Sequence, residues 1–240
     1  QGFTTGDWTA KATNTSRSLR LGAGSHIQSM IPSSFVTVVM TDSSMHQLRF
    51  LKDTVFIYSQ DLVANVGIMG PNAWAKDSQT GGLMFNWQFY TFLNGQLQAV
   101  PCPVRDFIRD AVVTGTQQSK IVGTGISQYG EGWFFYPASN LEVNKYVIYS
   151  FQTQTWATGT FNRTYALDGA TFIYPIMFDY TYGSENAQIW LHEKGNSAQG
   201  DAFESWIEAS PVDLSVEGEG EVTMDVSGIV PDFQSLSAGG

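Results

Sequence analysis

The chain has 240 residues, enough for one sizeable domain with a full hydrophobic core. Charged residues make up 14% of the sequence and aromatic residues another 14%, so uncharged polar side chains must cover most of the surface. A formal net charge of −10 argues against a protein that grips nucleic-acid phosphates, because such affinity comes mainly from Lys and Arg.

The single cysteine and the hydropathy pattern exclude further classes. Cys102 has no second cysteine to pair with, which excludes an internal disulfide and a thiolate metal cluster. The sequence contains no apolar run of about 18 residues, so we predict no transmembrane helix and no membrane insertion. No signal segment opens the chain, and because it starts at Gln1 rather than Met we expect the natural protein to be longer or processed.

The first half of the chain predicts an arm followed by a β-meander. Residues 1–34 are rich in Gly, Thr, Ser and Asn without a sustained period, which predicts an N-terminal arm or an incomplete blade. The apolar run FVTVVM then predicts a strand, and MHQLRFL and TVFIYSQ predict two more. Asn94-Gly95 lies between apolar runs and predicts a tight hairpin, because both residues tolerate positive φ. Helical spacing of apolar residues predicts one short helix near 104–114.

The second half predicts further strands. The stretch from Trp133 to Asp168 predicts two or three short strands around the turn at residues 152–155. TFIYPIMFDYTYG and AQIWLHEKG predict a hairpin, and FESWIEASPVDL predicts a later strand. Residues 235–240 are expected to form a flexible C-terminal end.

Four segments repeat one layout of polar start, apolar strand, turn, and second strand or polar exit. They begin at Ser44, Phe85, Asn144 and Asn186, at offsets in the range of four-stranded propeller blades, roughly 40 to 60 residues. The sequence therefore predicts an all-β fold of β-propeller-like repeated antiparallel sheets over residues 35–234, with a β-sandwich as the alternative.

Few groups are candidates for chemistry. The three histidines are far apart and match no metal-binding spacing, so His192-Glu193 is interpreted as a solvent-exposed hairpin turn. Cys102 lies between two prolines without an activating basic neighbour, and no GxSxG elbow is present. The sequence does not select a catalytic pair among the candidate carboxylates Asp168, Asp179, Glu193, Glu204 and Glu208. We predict no catalytic residue, no cofactor and no metal ligand.

An acidic segment near the C-terminus has two interpretations. Glu217, Glu219 and Glu221 alternate, so a strand would carry all three on one face. A solvated acidic edge that resists aggregation is the favoured interpretation, and a cation site is the alternative.

Six residues are predicted to have structural and packing roles. They are Trp133, Tyr136, Tyr149, Trp156, Arg163 and Asp168. The aromatic side chains are expected to pack between blades, with a sugar-stacking surface as the alternative. The arginine and the aspartate bracket the turn after Trp156, and stacking of the arginine on a ring or bonding to carbonyls would fix that hairpin.

A succession of short motifs resembles structural proteins of tailed bacteriophages. The motifs are IMGPNA at 68–73, FY at 89–90 with NG at 94–95, PCPVRD at 101–106, WFFYP at 133–137, NKYVIY at 144–149, WATG at 156–159, RT at 163–164 and PDF at 231–233. More narrowly, the chain resembles the propeller-bearing tail hub or nozzle proteins of short-tailed phages, from about Ser43 to Phe233. Phe134 and Tyr165 stand where tryptophans are expected, and Lys145 stands where Arg is common.

The resemblance implies a non-enzymatic virion protein of the phage tail. Such a protein forms a homo-oligomeric ring, has portal-adaptor and other tail proteins as partners, and helps to retain and pass DNA. An acidic lumen rich in Ser, Thr and Asn would contact passing DNA transiently without specific binding. The alternatives are a virion-surface receptor- or glycan-binding module, a glycan depolymerase with carboxylates about 5 to 10 Å apart, and a capsid decoration protein.

Overall fold

The computed structural model describes most of the chain up to residue 202. The described residues are 9, 11, 18–24, 26–32, 36–51, 58–76, 81–93, 96–112, 115–138, 142–160, 162–168, 172–179, 187–195, 197–198 and 201–202. The chain forms two compact units, Gln1–Glu193 and Lys194–Gly240. The predictions for Asn94-Gly95, the strand FESWIEASPVDL with Glu204 and Glu208, the 217–221 acidic segment and residues 235–240 lie outside the described residues.

Strands dominate the described part of the chain. They are β1 (Ile27–Pro32), β2 (Thr37–Thr41), β3 (Met45–Phe50), β4 (Tyr58–Ala64), β5 (Trp74–Lys76), β6 (Gly81–Phe85), β7 (Phe89–Leu93), β8 (Gln96–Val100), β9 (Val122–Ile126), β10 (Glu131–Pro137), β11 (Val143–Ser150), β12 (Trp156–Thr160), β13 (Tyr165–Leu167), β14 (Ile176–Asp179), β15 (Gln188–Leu191), β16 (Ser197–Ala198) and β17 (Asp201–Ala202). One α-helix, α1 (Arg105–Ala111), and a 3-10 helix, Gly115–Lys120, lie between β8 and β9.

The described residues of the first unit form four antiparallel meanders, in which each strand pairs with its neighbour in sequence. Sheet 1 is β1–β4, sheet 2 is β5–β8, sheet 3 is β9–β12 and sheet 4 is β13–β15. In the second unit, β16 and β17 form a small hairpin. The all-β prediction with repeated antiparallel sheets and one short helix is confirmed. The sheets of the described residues do not close into a propeller, so the fold is propeller-like only in how its sheets repeat.

The four repeated segments of the sequence can be compared with the strands of the structure. Three of its four starting points, Ser44, Asn144 and Asn186, lie within two positions of the first residue of β3, β11 and β15, the third strands of their sheets, whereas Phe85 is the last residue of β6. The stretch from Trp133 to Asp168, which the sequence predicts to hold two or three short strands, contains four and spans two sheets, because β10–β12 belong to sheet 3 whereas β13 begins sheet 4. The short polar connection after Thr160 gave no signal that a sheet ends there.

The first strands of sheets 2, 3 and 4 lie side by side. Asn72, just before β5, forms a parallel bridge with Val122, and its carbonyl accepts a hydrogen bond of 2.7 Å from the Gly123 amide. A Cβ atom at Gly125 would overlap the carbonyl oxygen of Lys76 in β5. The hydroxyl of Thr124 donates to the Ala166 carbonyl of β13 at 3.1 Å. Glycine in β9 therefore lets two backbones approach closely, which sets the spacing of sheets 2 and 3.

Two apolar clusters fill the spaces between the sheets. The larger joins sheets 1, 2 and 3 and includes Met40, Leu83, Phe89 and Phe134. The smaller joins sheets 3 and 4 and includes Ile126, Trp133, Phe135, Val143, Ala166 and Met177. Sheet 3 contributes to both clusters, so both of its faces are buried.

The helix α1 is short and amphipathic. Ile108 and the following Val112 are buried in the larger cluster, whereas Phe107 is exposed and its ring lies 4.9 Å from the ammonium nitrogen of Lys145. Among the described residues, no helix is long and apolar enough to cross a membrane.

We expect Gly125→Ala to lower the free energy of unfolding by about 1–3 kcal/mol, because the new methyl group would push β9 away from β5. Gly22→Ala is the matched control, since nothing lies within 4 Å of a Cβ built at that residue. Urea denaturation of both variants measures the difference. Equal stability of the two variants would show that the close approach of β5 and β9 is not required.

Candidate functional site

Trp156 connects sheet 3 to sheet 2. Its ring lies 4.6 Å from the ring of its cross-strand partner Tyr149 and 4.6 Å from the ring of Phe89 in sheet 2. Its indole Nε1 donates to the carbonyl oxygen of Pro101, after β8, at 2.9 Å. Both the apolar body and the polar tip of this side chain thus contact the neighbouring sheet.

Trp133 and Tyr136 lie on opposite faces of β10, and both are buried. Trp133 stacks on Tyr146 at 5.2 Å and donates its Nε1 hydrogen to Glu131 at 2.8 Å. Tyr136 belongs to the larger cluster, and burial raises the pKa of its phenol to about 12. Because neighbouring sheets cover both faces of β10, Trp133 and Tyr136 do not offer the sugar-stacking surface considered from the sequence.

Arg163 is surrounded by three side chains of sheet 4 and the segment after it. Its guanidinium lies 4.5 Å from the Trp190 ring and 3.7 Å from the Asp179 carboxylate. Its Nε–H donates to His192 Nε2 at 3.1 Å, and Nη1 donates to the Asn162 carbonyl at 2.6 Å. The arginine therefore joins the segment before β13 to β14 and β15.

His192 is half-buried next to Arg163, so its sequence interpretation as a solvent-exposed turn residue is wrong. Burial and the positive charge of Arg163 lower the pKa of His192 to about 4. The imidazole is neutral at pH 7, and its Nε2 accepts the hydrogen bond from the guanidinium. Burial also lowers the pKa of Arg163, and Asp179 opposes that shift.

Asp168 links sheet 4 to the turn that follows β9. One carboxylate oxygen accepts from the backbone amide of Ser127 at 3.2 Å, and the other pairs with the Ser127 hydroxyl. The sequence assigned Asp168 to its own hairpin, whereas its partner lies 41 positions away. This contact stabilises the junction of sheets 3 and 4.

The described residues contain no group of three His, Cys, Asp or Glu side chains that could hold a metal ion. Among the candidate carboxylates, Asp168 pairs with Ser127 and Asp179 lies beside Arg163. Burial raises the pKa of Cys102 to about 11, so its thiol is protonated at pH 7 and is a poor nucleophile. The buried His46 contacts the Ser44 hydroxyl at 2.9 Å and the Ala23 carbonyl at 3.2 Å.

A groove of about 930 Å³ is lined by the end of β4, by β7 and β8, and by the end of β11 with the turn that follows it. Aromatic and amide side chains line it, among them Tyr90, Phe92, Phe151, Gln96, Gln98 and Gln154. Among the described residues, no charged side chain lines this groove. Aromatic faces and amides can bind neutral polar ligands through stacking and hydrogen bonds.

Comparison with known proteins adds no relative. No family model matches the chain, and no curated protein matches it in sequence. The resemblance to phage tail hub and nozzle proteins therefore stays a prediction.

The structure brings four of the six predicted packing residues together in sheet 3 and places Arg163 and Asp168 on either side of β13. Sequence reasoning missed their partners Ser127, Trp190 and His192. Trp190 in β15 and His192 just after it are two positions apart, so an extended chain places them on one face, which Arg163 could share. No sequence pattern identifies Ser127 as the partner of Asp168, because serine is common in turns.

We expect Trp156→Ala to lower the free energy of unfolding by about 2 kcal/mol, less than for a fully buried tryptophan because Trp156 is half-buried. Trp87→Ala, at a site where 37% of the side chain is exposed, is the control and should cost much less. Urea denaturation measures both. Unchanged folding and particle assembly together with lost host binding would contradict the packing role of Trp156.

We expect the free energy of unfolding to fall as the pH drops from about 6.5 to about 4, because the unfolded chain protonates His192 in this range and the folded chain does not. The partial exposure of His192 limits this contribution to about 1 kcal/mol. His192→Gln keeps an acceptor for Arg163 and removes the titration. Denaturation curves at several pH values should show a smaller fall for the variant, and equal falls would contradict the assignment.

Proposed function

We propose that the chain is a non-enzymatic structural protein of a phage tail, of the hub or nozzle type. It would form part of an oligomeric ring that retains and passes DNA, with portal-adaptor and other tail proteins as neighbours. The proposal rests on the order of motifs in the sequence and on one observation from the structure. Five of the six predicted site residues pack or form hydrogen bonds between neighbouring sheets, and the sixth, Arg163, holds the strands of sheet 4 together.

The electrostatics support a conduit role. The net charge of −10 and the scarcity of Lys and Arg disfavour phosphate binding, so duplex DNA could pass without being held. Two of the candidate carboxylates already have structural partners, since Asp168 contacts Ser127 and Asp179 lies beside Arg163. These contacts support a structural role for the carboxylates rather than glycoside hydrolysis.

A second function, binding of a neutral glycan on the virion surface, is favoured by the uncharged groove. Its aromatic side chains could stack on sugar rings, and its glutamines could bind hydroxyl groups. Binding of the isolated chain on a glycan array that is lost in Tyr90→Ala would favour this function over the tail role.

We expect cryo-electron microscopy of particles that carry this chain to show it within the tail, in a symmetric ring. Immunogold labelling of intact and tailless particles gives an independent measurement of position. A location on the capsid surface would favour decoration, and a location outside the tail or without ring symmetry would contradict the proposal.

A further inference from the structure

The uncharged groove has two walls of different chemistry, on the two faces of the β7–β8 hairpin. Phe89 contacts the rings of Phe134 and Trp156, so its side of β7 faces sheet 3. Phe92 faces the opposite way and lines a cavity together with Met40 of sheet 1. The register of β7 and β8 therefore assigns each groove residue of this hairpin to one wall or the other.

The wall on the side of sheet 1 is apolar. On the hairpin it consists of two cross-strand pairs, Tyr90 with Ala99 and Phe92 with Leu97, and sheet 1 adds Val63. Four of these five side chains, all except that of Ala99, pack against the larger apolar cluster. The core therefore accounts for this wall.

The wall on the side of sheet 3 carries amides. Gln96 and Gln98 project from this side of β8, because their partners in β7 share a face with Phe89. Across the groove lie the side chain of Gln154, in the turn after β11, and the ring of Phe151. In the described part of the chain, none of the three side-chain amides has a hydrogen-bond partner, so all three are available to a ligand.

Gln154 has a backbone conformation that is unfavourable for a glutamine. Its φ is 57°, in the left-handed region that glycine adopts freely and other residues rarely do. The turn has hydrogen bonds of its own, since the Gln154 amide donates to the Ser150 carbonyl at 2.9 Å and the hydroxyls of Thr153 and Thr155 lie 2.7 Å apart. A glycine would fit this turn with less strain, so the turn alone does not explain a glutamine here.

The chemistry of this wall matches a neutral oligosaccharide. A side-chain amide both donates and accepts hydrogen bonds, as sugar hydroxyls do, and the ring of Phe151 offers an apolar face for stacking. The net charge of −10 disfavours acidic sugars. The volume of about 930 Å³ lies near the upper end of the range for small-molecule sites, roughly 300–1,000 Å³, so the groove has room for more than one sugar unit.

We propose that Gln96, Gln98 and Gln154 hold a neutral oligosaccharide in the groove between sheets 2 and 3. We call these three residues the amide wall. The apolar wall, which includes Tyr90, shapes the groove from the other side. The proposal deepens the glycan-binding function considered above and rests on it, and it does not depend on where the chain lies in a particle.

The strained turn gives a test that separates binding from folding. We expect Gln154→Gly to lower the affinity for a neutral oligosaccharide about three- to tenfold, because it removes an amide that bonds to the sugar. Its melting temperature should be unchanged or higher, because glycine adopts positive φ without strain. Glu193→Gly is the matched control and should bind like the wild type, since Glu193 also has a positive φ, of 59°, and lies outside the groove lining.

An array of neutral oligosaccharides that includes maltohexaose and chitohexaose identifies the probe that the full-length chain binds best. Titration calorimetry with that probe then measures the dissociation constant of each variant. Gln96→Ala and Gln98→Ala should weaken binding by a similar factor, whereas Gln154→Asn keeps an amide, tolerates positive φ and should retain most of the affinity. Hyaluronan hexasaccharide, which is acidic, should bind more weakly than the neutral probe.

The outcomes separate the amide wall from the function on which it rests. A wild-type chain that binds no neutral oligosaccharide on the array overturns both. Wild-type binding that all three glutamine variants leave unchanged overturns the amide wall and leaves glycan binding standing. Tighter binding of the acidic hexasaccharide than of any neutral oligosaccharide also overturns the amide wall.

Discussion

The close approach of β5 and β9 is the contact on which the arrangement of the sheets depends. Two strands from different sheets run side by side with a hydrogen bond between Gly123 and Asn72, and no side chain separates them at Gly125. Because the backbones fix the distance between the first strands, the large side chains farther out have a defined space to fill. Phe89, Phe134 and Trp156 fill it with ring contacts of 4.6 to 5.3 Å. A bulkier residue in β9 would increase the distance between sheets 2 and 3 and would disturb the packing of the side chains between them.

Polar contacts in this molecule mainly fix how one sheet is oriented against the next. Thr124 and Asp168 bond across the junction of sheets 3 and 4, and Trp156 bonds across the junction of sheets 2 and 3. Within sheet 4, the guanidinium of Arg163 donates a hydrogen bond to the neutral imidazole of His192. Apolar burial alone is not directional, so these bonds select one orientation among several with similar buried area.

The sequence predicted the all-β class, most of the longer strands and the short helix, because apolar alternation and turn residues are local signals. It missed β1, which lies in the segment predicted as an arm, and the three-residue strand β5. Trp156 was identified as a packing residue, yet its partner Phe89 was not, since no local pattern relates residues so far apart. The boundary between sheets 3 and 4 was missed because the connection after Thr160 resembles any other turn. Closure of the sheets into a ring depends on the angle between layers, which the residues of one strand do not encode. The exposed state of Ile189 and the half-buried state of His192 depend on that same packing.

The division of the core into two clusters has a consequence for cooperativity. Sheet 4 is held to the preceding layers by the smaller cluster and by the bonds of Thr124 and Asp168, whereas sheets 1 to 3 share one larger cluster. Linear arrays in which each layer contacts only its neighbours can open from an end without losing the remainder. We therefore expect sheet 4 to behave as a separate foldon, whose amide hydrogens would exchange through a partial opening that leaves the other three sheets intact.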